Sequence, residues 1–324
     1  MAAMRRIAVM TSGGDAPGMN AAVRAVVRAG LEQGVEVYGI RQAYAGLVAG
    51  DFERLTSREV SGILQRGGTV LQTARNEEFK TPAGQKKALR SLNEHGIDGV
   101  IVIGGDGSLR GAIKLHEMGV PVVGVPASID NDIWGTDMSI GVDTALNTIL
   151  DAIDRLRDTA TSHNRCFIIE VMGRSCGYLA LMGGILGGAE IVIIPEYEIS
   201  MEEVARSLED AYIRGKNHAI AVIAEGASYS SRDLEAYLRG QEVGFEVRLT
   251  ILGHTQRGGS PTAYDRLLAT RMGVSAVHAL LNGETGVMVA RQGREQVTLS
   301  LYEVTTKMRE ISEEYMKMAY TLSR

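Results

Sequence analysis

The chain has 324 residues, 45% of them hydrophobic and 23% charged, the balance of a folded globular protein with a sizeable core rather than a disordered one. A formal charge of −5 and a pI near 5.8 argue against a nucleic-acid binder working through bulk charge. Cys166 and Cys176 are too few for a disulfide framework or a cysteine-based zinc site, and no run of about 18 apolar residues or signal-peptide core appears, so a cytoplasmic protein with no membrane or nucleic-acid partner is expected.

Short apolar runs alternate with longer amphipathic stretches along the chain. Strands are predicted at 7–10, 35–40, 99–103, 120–125, 166–171, 191–194 and 219–224, and helices at 20–33, 82–95, 107–118, 143–161 and 201–214. Strand-then-helix order implies right-handed βαβ units and an α/β fold with a mainly parallel sheet flanked by helices. No internal repeat, low-complexity tract or Ser/Pro-rich linker interrupts it, so any lobes are expected to be intimately joined. Such sheets take ligands beyond the carboxyl ends of their strands.

Three polar turns fall at such ends. Thr-Ser-Gly-Gly-Asp-Ala-Pro-Gly-Met-Asn (11–20) follows the first strand, Gly-Gly-Asp-Gly-Ser (104–108) the third, and Pro-Ala-Ser-Ile-Asp-Asn-Asp (126–132) the fourth. Backbone N–H groups at glycine-rich turns and helix N-termini cradle phosphates. Neither the P-loop pattern nor Gly-x-Gly-x-x-Gly spacing is present. Taken singly, Gly104–Ser108 reads equally as a tight turn with a capping serine, Asp130 and Asp132 as a solvated loop, and any one arginine as half of a surface ion pair.

Together with Met-Gly-Arg (172–174), Ala-Glu-Gly (224–226) and Leu-Gly-His-Thr-Gln-Arg-Gly-Gly-Ser-Pro (252–261), these turns occur in an order that resembles the bacterial ATP-dependent 6-phosphofructokinases over nearly the whole chain. The resemblance implies two lobes, an ATP lobe of about 1–141 plus 256–306 and a sugar-phosphate lobe of about 142–255 plus 307–324. It implies transfer of the γ-phosphoryl of ATP to the 1-hydroxyl of fructose 6-phosphate, with Mg²⁺ as cofactor.

Residue by residue, the resemblance gives Asp130 as general base, and Arg75, Ser128 and Arg174 as partners of the transferring group. Gly14, Tyr44, Arg75, Asn76, Gly105, Asp106, Gly107 and Ser108 match the ATP site. Asp106 is the Mg²⁺ carboxylate, with Asp132 beside its water shell. Ser128, Ile129, Asp130, Arg165, Met172, Gly173, Arg174, Glu225, Arg248, His254, Thr255, Gln256 and Arg257 match the sugar-phosphate site. Arginine suits a phosphate because its planar fork donates two hydrogen bonds at once. Arg165 and Arg248 would come from a neighbouring subunit, which implies a homotetramer with shared active sites.

Arg24, Arg28, Arg157, Gly188, Ala189, Glu190, Arg214, Lys216, Asn217 and His218 match an allosteric pocket for ADP or GDP and phosphoenolpyruvate, in which the Glu190 position engages nucleotide-bound Mg²⁺. Gly62 stands where relatives often carry an acidic residue in the neighbouring subunit's wall of that pocket. Pyrophosphate-dependent relatives usually carry aspartate at 107 and lysine at 127; this chain has Gly107, which leaves room for an adenosine nucleotide, and the uncharged Ala127. The competing readings are a pyrophosphate-dependent phosphotransferase and a non-catalytic sugar-phosphate or nucleotide sensor.

Overall fold

A computed structural model describes residues 4–322. In chain order the elements are β1 (Arg6–Ser12), α1 (Met19–Glu32), β2 (Glu36–Ile40), α2 (Ala43–Ala49), β3 (Phe52–Leu55), α3 (Pro82–Glu94), β4 (Gly99–Gly104), α4 (Asp106–Glu117) and β5 (Val122–Pro126). They continue through α5 (Val142–His163), β6 (Arg165–Val171), α6 (Tyr178–Leu186), β7 (Ile191–Ile193), α7 (Met201–Ile213), β8 (Ala219–Ala224), α8 (Ser231–Arg239) and β9 (Glu246–Ile251). The chain closes with α9 (Ala263–Leu281), β10 (Val287–Gln292), β11 (Glu295–Ser300), α10 (Leu301–Thr306) and α11 (Glu313–Leu322). Every strand and helix anticipated from periodicity is present, within two residues at each end, and the α/β class holds.

The elements divide into two compact units, the first 1–128, 133–143 and 257–309, the second 129–132, 144–256 and 310–324. The first holds a seven-stranded sheet in the order β11-β10-β5-β4-β1-β2-β3, parallel except at its two edges, where β3 and β11 run antiparallel to their neighbours. Its central strands β4 and β5 are buried along their whole length. That double burial explains why they read as unbroken apolar runs rather than as alternation. Met10, Val102, Leu109, Leu115, Met288 and Leu301 meet in the core on one side. Helices α1 and α9 pack so closely that a Cβ on Gly273 would lie 2.8 Å from the Ala22 carbonyl oxygen.

The second unit holds a four-stranded, all-parallel sheet in the order β7-β8-β6-β9. Cys166, Ile168, Leu208, Ile223, Leu234 and Val247 form the core on one face. Its helices start on clear signals. Ser200 and Glu203 form a reciprocal capping box on α7, and Ser230 caps α8 through the Asp233 N–H. No described helix is long and apolar enough to cross a membrane.

Candidate active site

The chain enters the seven-stranded sheet at its middle: β2 and β3 lie on one side of β1, and β4, β5, β10 and β11 on the other. The strand order therefore reverses between β1 and β4, and the crevice beyond the carboxyl ends at such a reversal is where open α/β sheets take ligands. The turns after these strands meet there. Gly13 has φ 87°, and a Cβ on it would stand 3.1 Å from Ser108 Oγ. A Cβ on Gly104 would lie 2.4 Å from the Ser12 carbonyl oxygen, so the strand ends approach more closely than any side chain permits.

Helix α4 begins at Asp106 after Gly105, with no side-chain cap, so the positive end of its dipole opens onto this crevice. Asp106 pairs with Arg110 one turn on, at 2.9 Å, and stays partly exposed. Gly107 is exposed, and a Cβ on it would meet nothing within 4 Å. The protein itself therefore leaves the space above this position clear. Ser108 is buried, and its carbonyl accepts the Tyr44 hydroxyl at 2.7 Å. Tyr44 also stacks on Phe79, ring centroids 4.4 Å apart, and burial pushes its phenol far above the ordinary value. It thus braces the first turn of α4 from beneath.

The segment leading to Arg75 is tied to the same turn. Thr11 and Thr69 share a hydroxyl hydrogen bond of 2.6 Å, Thr11 donates to the Gln72 carbonyl, and Thr73 donates to the Gly13 carbonyl at 2.9 Å. Arg75 itself is exposed. Asn76 accepts from the Phe79 N–H through Oδ1 at 2.6 Å, which sets the short 3-10 turn over 78–80. Arg257 lies against Gly14, where a Cβ would come 2.4 Å from its Nη1, and its buried Nε has no hydrogen-bond partner among the described residues. Ser128 follows β5, its N–H donating to the Ile140 carbonyl at 3.2 Å.

The second unit gathers the other group around the ends of β6 and β8. Glu225 Oε1 accepts from the N–H groups of both Gly173 (3.3 Å) and Arg174 (2.8 Å). Arg174 adopts φ 53°, an unusual conformation for a residue with a side chain, held by this carboxylate clamp. A Cβ on Gly226 would lie 1.7 Å from the Arg174 carbonyl oxygen, so the turn and its clamp fit only with glycine there. Arg174 Nε reaches Asp130 Oδ2 at 3.3 Å; the Asp130 side chain is 4% exposed, its partner's 61%. Ile129 is buried and Asp132 partly so.

Gln256 is wholly buried and spends its amide internally, accepting from the Met172 N–H at 3.2 Å and donating to the Gly253 carbonyl at 3.0 Å. It shapes the Met172 turn from behind. His254 and Thr255 are exposed beside it, with the Thr255 hydroxyl turned back to the Leu252 carbonyl. Arg165 and Arg248 both pair with Glu246, a residue the sequence reading passed over. Its signal was available as the alternating Glu-Val-Arg-Leu-Thr-Ile run of β9.

A second charged cluster lies elsewhere in this unit. Arg157 donates to the carbonyls of Gly187 and Gly188 and lies 3.1 Å from His218 Nε2. Glu190 is buried, accepts from the Ile220 N–H, and pairs with Lys216 at 3.1 Å. Burial pushes the His218 imidazole below its ordinary value, Glu190 opposing and Arg157 assisting. Asn217 contacts His218 Nδ1, Ala189 is buried, and Arg214 is exposed at the end of α7. In the first unit, burial and the neighbouring Arg28 charge lower the Arg24 guanidinium. Gly62 has φ 71° with open space around its Cβ position.

Among the described residues no group of three or more His, Cys, Asp or Glu could hold a metal ion by itself. Mg²⁺ in phosphoryl-transfer sites needs no such cage, since one or two carboxylates, water and substrate phosphates complete its shell. A partly exposed Asp106 at a helix N-terminus, next to the clear space at Gly107, fits that requirement.

The family model described as Phosphofructokinase matches residues 6–280. The chain is 54% identical to a Thermotoga neapolitana protein named ATP-dependent 6-phosphofructokinase and 52% identical to one so named from Halalkalibacterium halodurans, in each case over 99% of this chain and all of the relative. Phosphofructokinase from Saccharomyces cerevisiae superposes with a TM-score of 0.90 at 37% identity, over 98% of this chain, which spans about half (48%) of the yeast chain. A pyrophosphate-dependent phosphofructokinase from Marinobacter aquaeolei has a TM-score of 0.86 at 20% identity, covering 99% of this chain and 91% of its own, a likeness of fold alone. With a family model spanning most of the chain and relatives more than half identical along its whole length, the chain belongs to the phosphofructokinase family.

Proposed function

We propose that this protein is an ATP-dependent 6-phosphofructokinase, a glycolytic kinase that converts fructose 6-phosphate and ATP to fructose 1,6-bisphosphate and ADP. The observation that carries this reading is the 54% identity, over the full length of both chains, to a relative of that name. Asp130 takes the proton of the sugar 1-hydroxyl as its oxygen attacks the γ-phosphorus; the bond to the β-phosphate oxygen breaks, and ADP leaves. A buried carboxylate paired with a guanidinium, as Asp130 is with Arg174, suits a base that must stay oriented before the proton arrives.

Gly14, Gly105, Gly107 and Ser108 line the turns that cradle the nucleotide phosphates, with Tyr44 and Asn76 setting those turns. Arg75, Ser128 and Arg174 supply positive charge and a hydroxyl to the moving phosphoryl group. Asp106 would hold Mg²⁺, with Asp132 helping to hold its water shell; when bound, the ion would neutralise charge on the phosphate oxygens. Arg165, Arg248, His254 and Arg257 recognise the 6-phosphate and sugar; Ile129, Met172, Gly173, Glu225, Thr255 and Gln256 shape the sugar's seat.

The same reading makes the protein a cytoplasmic homotetramer with active sites shared between subunits. Arg24, Arg28, Arg157, 188–190, Arg214 and 216–218 form an effector site for ADP or GDP and phosphoenolpyruvate. The pairing of buried Glu190 with partly exposed Lys216 and the Arg157 contacts make a cluster rather than scattered surface charge, which supports that assignment. A coupled assay with ATP or pyrophosphate as donor tests the activity. Turnover of fructose 6-phosphate is expected with ATP and not with pyrophosphate; the reverse preference, or no turnover with either, refutes it.

A further inference from the structure

Strands β6 and β9 run parallel with Arg165 directly opposite Glu246 and Phe167 opposite Arg248. Residues two apart on a strand share a face, so the sheet register alone brings Arg165, Glu246 and Arg248 to one side. The Glu246 carboxylate accepts from both arginines, one on each oxygen. Arg165 Nε reaches Oε2 at 2.7 Å, and Arg248 Nη2 binds Oε1. The hydrogen bond from Arg165, with the charges of Arg165, Arg248 and His163, lowers the Glu246 carboxyl below the usual carboxylate range.

We propose that Glu246 is a positioning residue for sugar-phosphate recognition, its single carboxylate clamping Arg165 and Arg248 into a two-armed anion receptor. The inference rests on the reading that these arginines bind the 6-phosphate. Two free guanidiniums at this spacing repel one another, and each has many rotamers to lose on binding. A carboxylate that bridges them removes both obstacles before the ligand arrives. Among the described residues Arg165 commits only Nε, which leaves both Nη groups to donate, and Arg248 commits only one Nη. The trio keeps a net charge of +1. Exposed ion pairs of this kind add little to stability, so the consequence of the bridge lies in where the guanidiniums point. A Glu246 that merely opposed the incoming phosphate by like charge would act with the opposite sign.

The test uses the full-length enzyme carrying Glu246→Gln, alone and combined with Arg165→Ala and Arg248→Ala, with melting temperature measured for each. Glutamine can accept from one arginine but turns its NH₂ toward the other, so the bridge loses an arm. The apparent KM for fructose 6-phosphate is expected to rise about 3- to 10-fold, the scale of one or two side chains left to be ordered on binding. kcat and the KM for ATP stay within about 2-fold. In the Arg165→Ala/Arg248→Ala background, Glu246→Gln adds less than about a further 2-fold, since nothing remains to be positioned. An unchanged or lowered KM in Glu246→Gln overturns the inference, as does a rise that persists without the arginines. If the arginine variants alone leave the KM unchanged, the sugar-phosphate reading itself fails, and this inference with it.

Discussion

In the proposed reaction Asp130 carries the heaviest chemical demand, and its surroundings suit that role. Its carboxylate is buried, yet Arg174 stands at 3.3 Å on a backbone held in an uncommon conformation by Glu225. Asp130→Asn keeps the shape and removes the basicity. It is expected to lower kcat by on the order of 10²- to 10⁴-fold with smaller changes in either KM, measured in the coupled assay on folded protein. In the proposed function Gly107 would set the donor preference in a different way, through space that the protein leaves clear. Gly107→Asp fits at the first turn of α4, where a carboxylate is welcome to the helix, so the melting temperature changes little. The added charge beside a polyphosphate raises the apparent KM for ATP by about 10-fold or more, from Coulomb repulsion of order 1 kcal/mol per facing charge. An unchanged KM for ATP separates Gly107 from nucleotide binding.

At the scale of elements, the sharpest local signal is the capping box of α7. Ser200 accepts from the Glu203 N–H at 3.2 Å while the Glu203 carboxylate accepts from the Ser200 N–H at 2.8 Å. Ser200→Ala removes one side of this exchange and is expected to cost about 1 kcal/mol of stability, read as a lower midpoint in denaturant unfolding with activity retained. Strands such as β4 and β8 were legible because burial on both faces leaves no room for polar residues. β9 alternates polar and apolar residues without a break, so its signal was present, although its burial follows that alternation only weakly. The hairpin of β10 and β11 was passed over although Gly293, at φ 59°, opens the two-residue turn between them, a recognised hairpin signal. Helix α6 is nearly apolar all round, so it lacks the amphipathic stripe by which helices are read. In the candidate site, the motif turns were legible as glycine and carboxylate patterns. What sequence could not convey was which polar side chains are spent internally: Gln256 behind Met172, Tyr44 beneath Ser108, Asn76 on the 78–80 turn. The Gln256 and Tyr44 commitments depend on backbone 84 and 64 residues away, which no local window contains, whereas the Asn76 contact is local.

For the whole molecule, the family relationship bears on assembly. If Arg248 serves a neighbouring subunit's site, Arg248→Ala subunits, which are weak at subsaturating fructose 6-phosphate, and Asp130→Ala subunits, which are nearly inactive, are expected to recover activity when mixed into hybrid tetramers. Hybrids confirmed by native mass spectrometry that recover nothing would show that each chain completes its own site. The Arg257–Gly14 contact has a consequence on a longer timescale. The backbone at 14 is not in the left-handed region that favours glycine, yet a Cβ there would lie 2.4 Å from the Arg257 guanidinium. Tolerance at position 14 is therefore conditional on its neighbour 243 residues downstream (257 − 14). Because the contact is with the flexible end of the arginine, a larger residue at 14 would displace the guanidinium rather than unfold the turn, and the cost would fall on what Arg257 binds. The two positions are epistatic through a steric contact, and their histories are expected to be read as one.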